Sequence, residues 1–212
     1  IDAIKVGVEV DLSGGLPTMV VVGLPDAAVQ ESRERTRAAL KNSGFPFPMR
    51  KIVINLTPAD LRKEGPSFDL PISMGVLAAT EQIKPDLLDD FLFMGELSLD
   101  GTLRPVAGVL AIAAAAKSLG LKGLVVPADN AREAAVVPGL EVYGFKRLSD
   151  IVGFLNHPAQ YLPYQLDGQA ELARANTNLM ELRDVKGQAQ ARRALEIAAA
   201  GGHNCIFIGP PG

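Results

Sequence analysis

Arg62-Lys63-Glu64-Gly65-Pro66-Ser67-Phe68-Asp69-Leu70-Pro71 is a polar turn that runs into an apolar stretch continuing to Ala79. The apolar stretch reads as a helix, and the turn delivers one hydroxyl, Ser67, to its mouth. Unpaired N–H groups and a partial positive charge gather at a helix N-terminus, so a nucleophilic serine or a phosphate ligand would be placed there. A plain serine turn that merely starts a helix has the same appearance. The choice between the two rests on what the rest of the chain supplies.

Upstream, Ile4, Val6, Val8, Val10 and Leu12 alternate with Lys5, Gly7, Glu9 and Asp11, the period of a half-buried strand. Ser13-Gly14-Gly15 is turn chemistry and Thr18 to Val22 is again β-branched, which predicts a hairpin. Pro25 and Asp26 open a helix, with Pro25 in its first turn, that runs to about Ser43 and stops at Gly44. Lys51 to Leu56 is the next strand. Downstream, Leu92 to Leu99 reads as a strand and Asp100-Gly101 as a hairpin turn into Thr102-Leu103. Val106 to Leu119 is an alanine-rich helix, Gly123 to Val126 a short buried strand, and Asn130 to Ala135 a short helix. Leu140 to Tyr143 is another strand, and Ser149 to Phe154 belongs to a last helix. Strands and helices interleave without a strict βαβ repeat, so the expected class is α+β, a mixed sheet with helices mainly on one face.

At 212 residues, 48% hydrophobic and 21% charged, the chain can bury a sizeable core. A net charge of -3 excludes a polyelectrolyte partner for nucleic acid, so any such contact needs a local patch. The single cysteine, Cys205, rules out an internal disulfide and, with only two histidines, argues against a Cys/His zinc site. Cys205 reads as a buried core thiol and His203 as structural. No apolar run reaches the roughly 20 residues that cross a bilayer, and no signal peptide is visible, so a cytoplasmic protein is expected. The chain starts at Ile1 in a strand-like pattern, which suggests that residues before it were removed. Asp60, Glu64 and Asp69 match no metal-loop spacing, and no metal is expected there.

Residues 157–178 carry prolines, tyrosines and little periodicity, and are read as a linker. Leu182 to Ala200 is helical again, and Asn204 to Ile208 reads as a buried strand followed by Gly209-Pro210-Pro211-Gly212. That is the front half of a phosphate-binding loop, whose backbone N–H groups cradle phosphates while a later lysine and hydroxyl meet charge and Mg²⁺. The second glycine, the lysine and the hydroxyl do not follow within these residues, so this fragment is expected to hold no cofactor and to lack P-loop hydrolysis. Val185-Lys186-Gly187-Gln188 and the alanine-rich helix before the loop resemble the start of an AAA+ ATPase module.

The wider chain resembles the ComM/YifB group of magnesium-chelatase-like AAA+ proteins. The runs that carry the resemblance include Val20-Val21-Val22-Gly23-Leu24-Pro25-Asp26, Glu31-Ser32-Arg33-Glu34-Arg35, Asn55-Leu56-Thr57-Pro58-Ala59-Asp60-Leu61, Lys63 to Pro71, Gly95-Glu96-Leu97 and Ala199-Ala200-Gly201-Gly202-His203-Asn204. The resemblance implies a Lon-protease-like domain over 1–156, in the two-layer fold shared with a ribosomal small-subunit protein. It also implies a left-handed βαβ crossover, a linker over 157–178 and a truncated AAA+ start over 179–212. For the whole protein it implies ATP and Mg²⁺ as cofactors, DNA as partner, a hexameric ring and branch migration during natural transformation. Magnesium insertion into a porphyrin is the alternative suggested by the family's name, and a Ser/Lys peptidase the alternative suggested by Ser67.

The Lon-like frame allows a direct reading of Ser67. In that frame a lysine, desolvated so that its pKa falls, serves as base to the serine. Gly95 to Val109 keeps the frame, yet the lysine position is held by Leu110. Lys117 lies about 10 Å further along a helix. The implied domain is therefore protease-dead, with Ser67 structural. The candidate DNA contacts are Arg33, Arg37, Lys41, Arg62 and Lys63, of which Arg33, Arg37 and Lys41 share a helix face; an ordinary solvated helix is the competing reading.

Overall fold

The computed structural model describes residues 3–166 and 182–209. The chain divides into two compact units, Ile1–Leu166 and Asp167–Gly212. In the first, β1 (Gly7–Ser13), β2 (Met19–Val22) and β3 (Lys51–Thr57) form a sheet in the order β1-β3-β2. β1 pairs antiparallel with β3 from Gly7↔Thr57 to Ser13↔Lys51, and β2 pairs parallel with β3 from Met19↔Ile52. The predicted β1–β2 hairpin is thus wrong: β3 enters between its arms. Ile52, Ile54 and Leu56 are all fully buried, and the central position gives their strand a ladder on both edges. The link at 14–18 only has to step across one strand, about 10 Å, well within the reach of five residues.

α1 (Ala27–Asn42) crosses from β2 to β3. Its N-cap is Asp26, whose carboxylate accepts from Val29 N–H at 2.8 Å, so Pro25 lies before the helix and not in its first turn. α2 (Asp69–Ala79) packs closely on β1 at Gly75, where a Cβ would lie 2.6 Å from Val10 Cγ2.

The second sheet is wholly parallel, β4 (Phe91–Phe93), β7 (Gly123–Pro127) and β8 (Glu141–Phe145) in the order β4-β7-β8. Leu124, Val126 and Val142 pack with α3 (Val109–Ser118) and α4 (Ala128–Ala134), while Val125, Tyr143 and Phe145 pack with α5 (Leu148–Asn156). Both faces are covered, as buried parallel strands require. The strand expected over Leu92–Leu99 breaks after Phe93; its second part, β5 (Glu96–Leu97), pairs with β6 (Leu103–Arg104) across the expected Asp100-Gly101 turn. One mixed sheet with helices on one face therefore becomes two small sheets and a hairpin, in a mixed α/β unit.

Residues 157–166, expected to begin a linker, pack on the first unit. The Tyr161 ring meets Phe145 and Phe154 at 5.7 and 5.8 Å, and Tyr164 N–H donates to the Val142 carbonyl at 2.6 Å. The remaining linker stretch, 167–178, lies outside the described residues.

In the second unit the helix expected over Leu182–Ala200 is shorter: Leu182–Asp184 is a 3-10 turn, Gln188 is left-handed at φ +49°, and α6 spans Ala189–Gly201, with His203 N–H donating to the Ala198 carbonyl at 2.9 Å. The strand predicted at Asn204–Ile208 does not form: these residues have no regular secondary structure and are exposed, Ile206 at 84% and Ile208 at 91%, and Cys205 is exposed with them. A strand exists through its ladder, and among the described residues none pairs with this segment.

Candidate functional site

The turn at 62–71 is stitched to its surroundings through the main chain. Lys63 N–H donates to the Leu24 carbonyl at 3.1 Å, and Asp26 N–H returns to the Lys63 carbonyl at 2.9 Å. Gly65 follows at φ +85°, a left-handed conformation that glycine takes without Cβ strain, and its N–H reaches the Asp26 carboxylate at 3.2 Å. A short 3-10 turn, Pro66–Phe68, then leads into α2. Gly95 N–H donates to the Ser67 carbonyl at 3.1 Å, and Leu70 N–H to the Gly95 carbonyl at 3.0 Å. The segment thereby locks the start of α1 to the β4–β5 connection.

Ser67 stands just before α2, half-buried, beside an apolar cleft of about 130 Å³ that Pro71, Met94, Ile112 and Ala115 help to line. Its hydroxyl has no hydrogen-bond partner among the described residues. Leu110 is the second residue of α3, is 46% exposed and donates its N–H to the Glu133 carboxylate at 3.0 Å; it is not part of the lining around Ser67. Lys63 is 1% exposed and its ammonium donates to the Pro58 carbonyl. No lysine donates to Ser67 among the described residues.

Two residues further on, Asp69 is fully buried and heavily bonded. It accepts from the Ser32 hydroxyl, from Arg35 Nε at 2.7 Å and Nη2 at 3.0 Å, and from Leu97 N–H at 3.1 Å. Ser73 and Thr36 add a hydroxyl contact at 3.4 Å on the same buried face. The hydrogen bond to Asp69 pushes the Arg35 guanidinium above its ordinary pKa, against the opposing effect of burial. Sequence reasoning missed this centre, treating Asp69 only as an unconvincing metal ligand. The available signal was Ser32 and Thr36 lying on the α1 stripe that Val29, Ala39 and Leu40 bury. Hydroxyls at core positions need a buried partner.

The five basic candidates do not form one free row. Lys63 is removed from any such surface by its burial, which corrects its assignment as a DNA contact. Arg33 Nε donates to the Gln30 carbonyl at 2.9 Å, and the Arg37 guanidinium lies 5.1 Å over the Phe47 ring. Arg62 is exposed and pairs with Glu64 at 3.3 Å. Lys41 is exposed in the last turn of α1, with no ion-pair partner among the described residues. In the second unit, Gly209 is exposed with open space where a Cβ would be; Pro210, Pro211 and Gly212 lie outside the described residues. Among the described residues there is no acidic, His or Cys cluster able to hold a metal, and no helix long and apolar enough to cross a membrane.

A family model described as subunit ChlI of Mg-chelatase matches residues 8–130, and a second, described as magnesium chelatase, subunit ChlI, matches 181–212. The chain is 44% identical over its whole length to competence protein ComM of Haemophilus influenzae, covering 42% of that protein. It is 43% identical over its whole length to protein YifB of Escherichia coli K12, covering 41% of it. Lon protease 2 of Bacillus subtilis is a distant relative, 26% identical over 64% of this chain. These matches define a magnesium-chelatase-like, ChlI/ComM-type AAA+ protein. Within that class the chain belongs to the ComM/YifB family, and it spans about two fifths of the length of the relatives it matches.

Proposed function

We propose that the chain is the N-terminal part of an ATP-driven ring motor acting on DNA, in branch migration during natural transformation and recombination. The observation that carries this reading is the match of the whole of this chain to 42% of competence protein ComM, which continues into the P-loop start. In the whole protein, Gly209, Pro210, Pro211 and Gly212 begin the loop that holds ATP with Mg²⁺, and hexamer formation supplies the ring. The first unit serves assembly or DNA contact and carries out no peptide hydrolysis. Supporting that last point, Leu110 cannot accept a proton, and among the described residues no lysine is hydrogen-bonded to Ser67.

A salt series tests the DNA reading. Binding of the chain and of the whole protein to branched and linear DNA should fall with salt, by a log–log slope of about 0.9 per phosphate neutralised. Lys41→Glu and Arg62→Glu should flatten that slope if α1 and the turn supply contacts. Absence of binding by both proteins, or binding indifferent to salt, contradicts the reading.

A further inference from the structure

β8 is an edge strand of the second sheet, since it pairs only with β7. The chain that leaves α5 makes a 3-10 turn at Pro158–Gln160 and returns to β8, where Tyr164 N–H donates to the Val142 carbonyl at 2.6 Å. The two ends of this returning segment are held very differently. At its start, the Tyr161 ring lies against Phe145 and Phe154, themselves buried in the core. Gly153 of α5 makes room for that ring, since a Cβ there would collide with the Tyr161 hydroxyl oxygen.

Beyond Tyr161 the hold weakens. Leu162 is 89% exposed, Pro163 has no N–H to offer, and Tyr164 and Gln165 are exposed. Pro163 to Leu166 border an open cleft of about 420 Å³ against Val137 to Glu141, so they stand off from the body of the unit. Among the described residues, the bond from Tyr164 is the one main-chain hydrogen bond that 162–166 make to β8. One such bond with little buried apolar surface offsets the entropy of ordering five residues by a small margin at most. Segments of that kind open locally while the core stays folded.

We propose that residues 162–166 are a releasable strap on the β8 edge, with the Tyr161 ring as the stop at which release ends. Seated, the strap covers a strand edge that would otherwise stand open. Released, it frees the Val142 carbonyl and adds five residues, roughly 17 Å when extended, to the connection that leads on to the second unit. The aromatic cluster keeps Tyr161 in place, so the added length is fixed and not open-ended. The assignment is independent of the motor reading, since it rests on the first unit alone.

Hydrogen exchange of the chain, read residue by residue across low urea, tests the strap. The Tyr164 amide should exchange at least about a hundredfold faster than the amides of β7, through an opening that low urea leaves unchanged. Chymotrypsin should cut the native chain after Tyr164 and spare Tyr161. Gly153→Ala, whose new Cβ displaces the Tyr161 ring, should speed cleavage after Tyr161 about tenfold, because proteolysis follows the population of the open form. Exchange of Tyr164 with the rate and urea dependence of β7 would overturn the proposal, as the segment would then open only with the whole unit. Cleavage of the parent after Tyr161 as fast as after Tyr164, or cleavage after Tyr161 unaltered in folded Gly153→Ala, would remove the stop and overturn it too. Should Gly153→Ala misfold, exchange and cleavage of the parent decide alone.

Discussion

Two ends of one turn have opposite characters. Ser67 shows a hydroxyl with no partner among the described residues beside an apolar cleft, whereas Asp69, two residues on, is fully buried with hydrogen bonds from α1 and β5. The contrast teaches that a turn can be held together by one buried carboxylate while a hydroxyl two residues away takes no part in that network. Arg35 and Ser32 from α1, Asp69 from α2 and the Leu97 N–H from β5 meet at one carboxylate, so the turn joins three elements that no apolar stripe alone would register. A buried ion pair is weak evidence for net stability, but removing one partner leaves the other charge stranded.

That difference can be broken most severely at Asp69. Asp69→Ala should cost about 3–5 kcal/mol in urea unfolding, because it leaves the Arg35 guanidinium and the Ser32 hydroxyl without their acceptor. A double-mutant cycle with Arg35→Met sharpens the point: if the two residues act as one unit, the coupling should be about 1–3 kcal/mol. Gly75→Val probes the same helix through packing instead of charge. Its new Cβ would press on Val10 Cγ2 at 2.6 Å, and overpacking of this kind costs about 1–3 kcal/mol by thermal or urea melts.

The smallest effect lies at the β5–β6 turn, far simpler than the Asp69 centre. Thr102 N–H and Oγ1 both donate to the Asp100 carboxylate at 3.0 Å and hold its carboxyl below the ordinary carboxylate value. A depressed folded-state value means stability present above the unfolded pKa, about 3.9 for Asp, and lost as pH falls through the lower folded value. The stability gap between the parent and Asp100→Asn should therefore be visible at neutral pH and close below about pH 4.

Much of this was legible in the residues. The helices over 27–42, 69–79 and 109–118 follow from apolar periodicity and their stop signals, and the Asp100-Gly101 hairpin from its turn chemistry. The β1–β2 hairpin was misread because Gly14-Gly15 signals a turn without saying which strand later enters between its arms. That choice is made by β3, the most deeply buried strand of the sheet. Lys63 was misread for a related reason: charge marks a surface residue by default, and only the fold shows its ammonium satisfied by the Pro58 carbonyl. Cys205–Ile208 is an apolar run like β7, yet β7 is wholly buried between β4 and β8 while the other run is exposed. Composition gives the capacity to form a strand, and a ladder partner realises it.

The central claim is that the turn is kept for Asp69 and not for Ser67. Matched urea melts of Ser67→Ala and Asp69→Asn test it most directly, alongside an assay for cleavage of an unfolded protein substrate. The account predicts Ser67→Ala within about 0.5 kcal/mol of the parent, a loss of several kcal/mol for Asp69→Asn, and no cleavage by any of the three. Cleavage by the parent that Ser67→Ala abolishes, or an Asp69→Asn variant as stable as the parent, would contradict it.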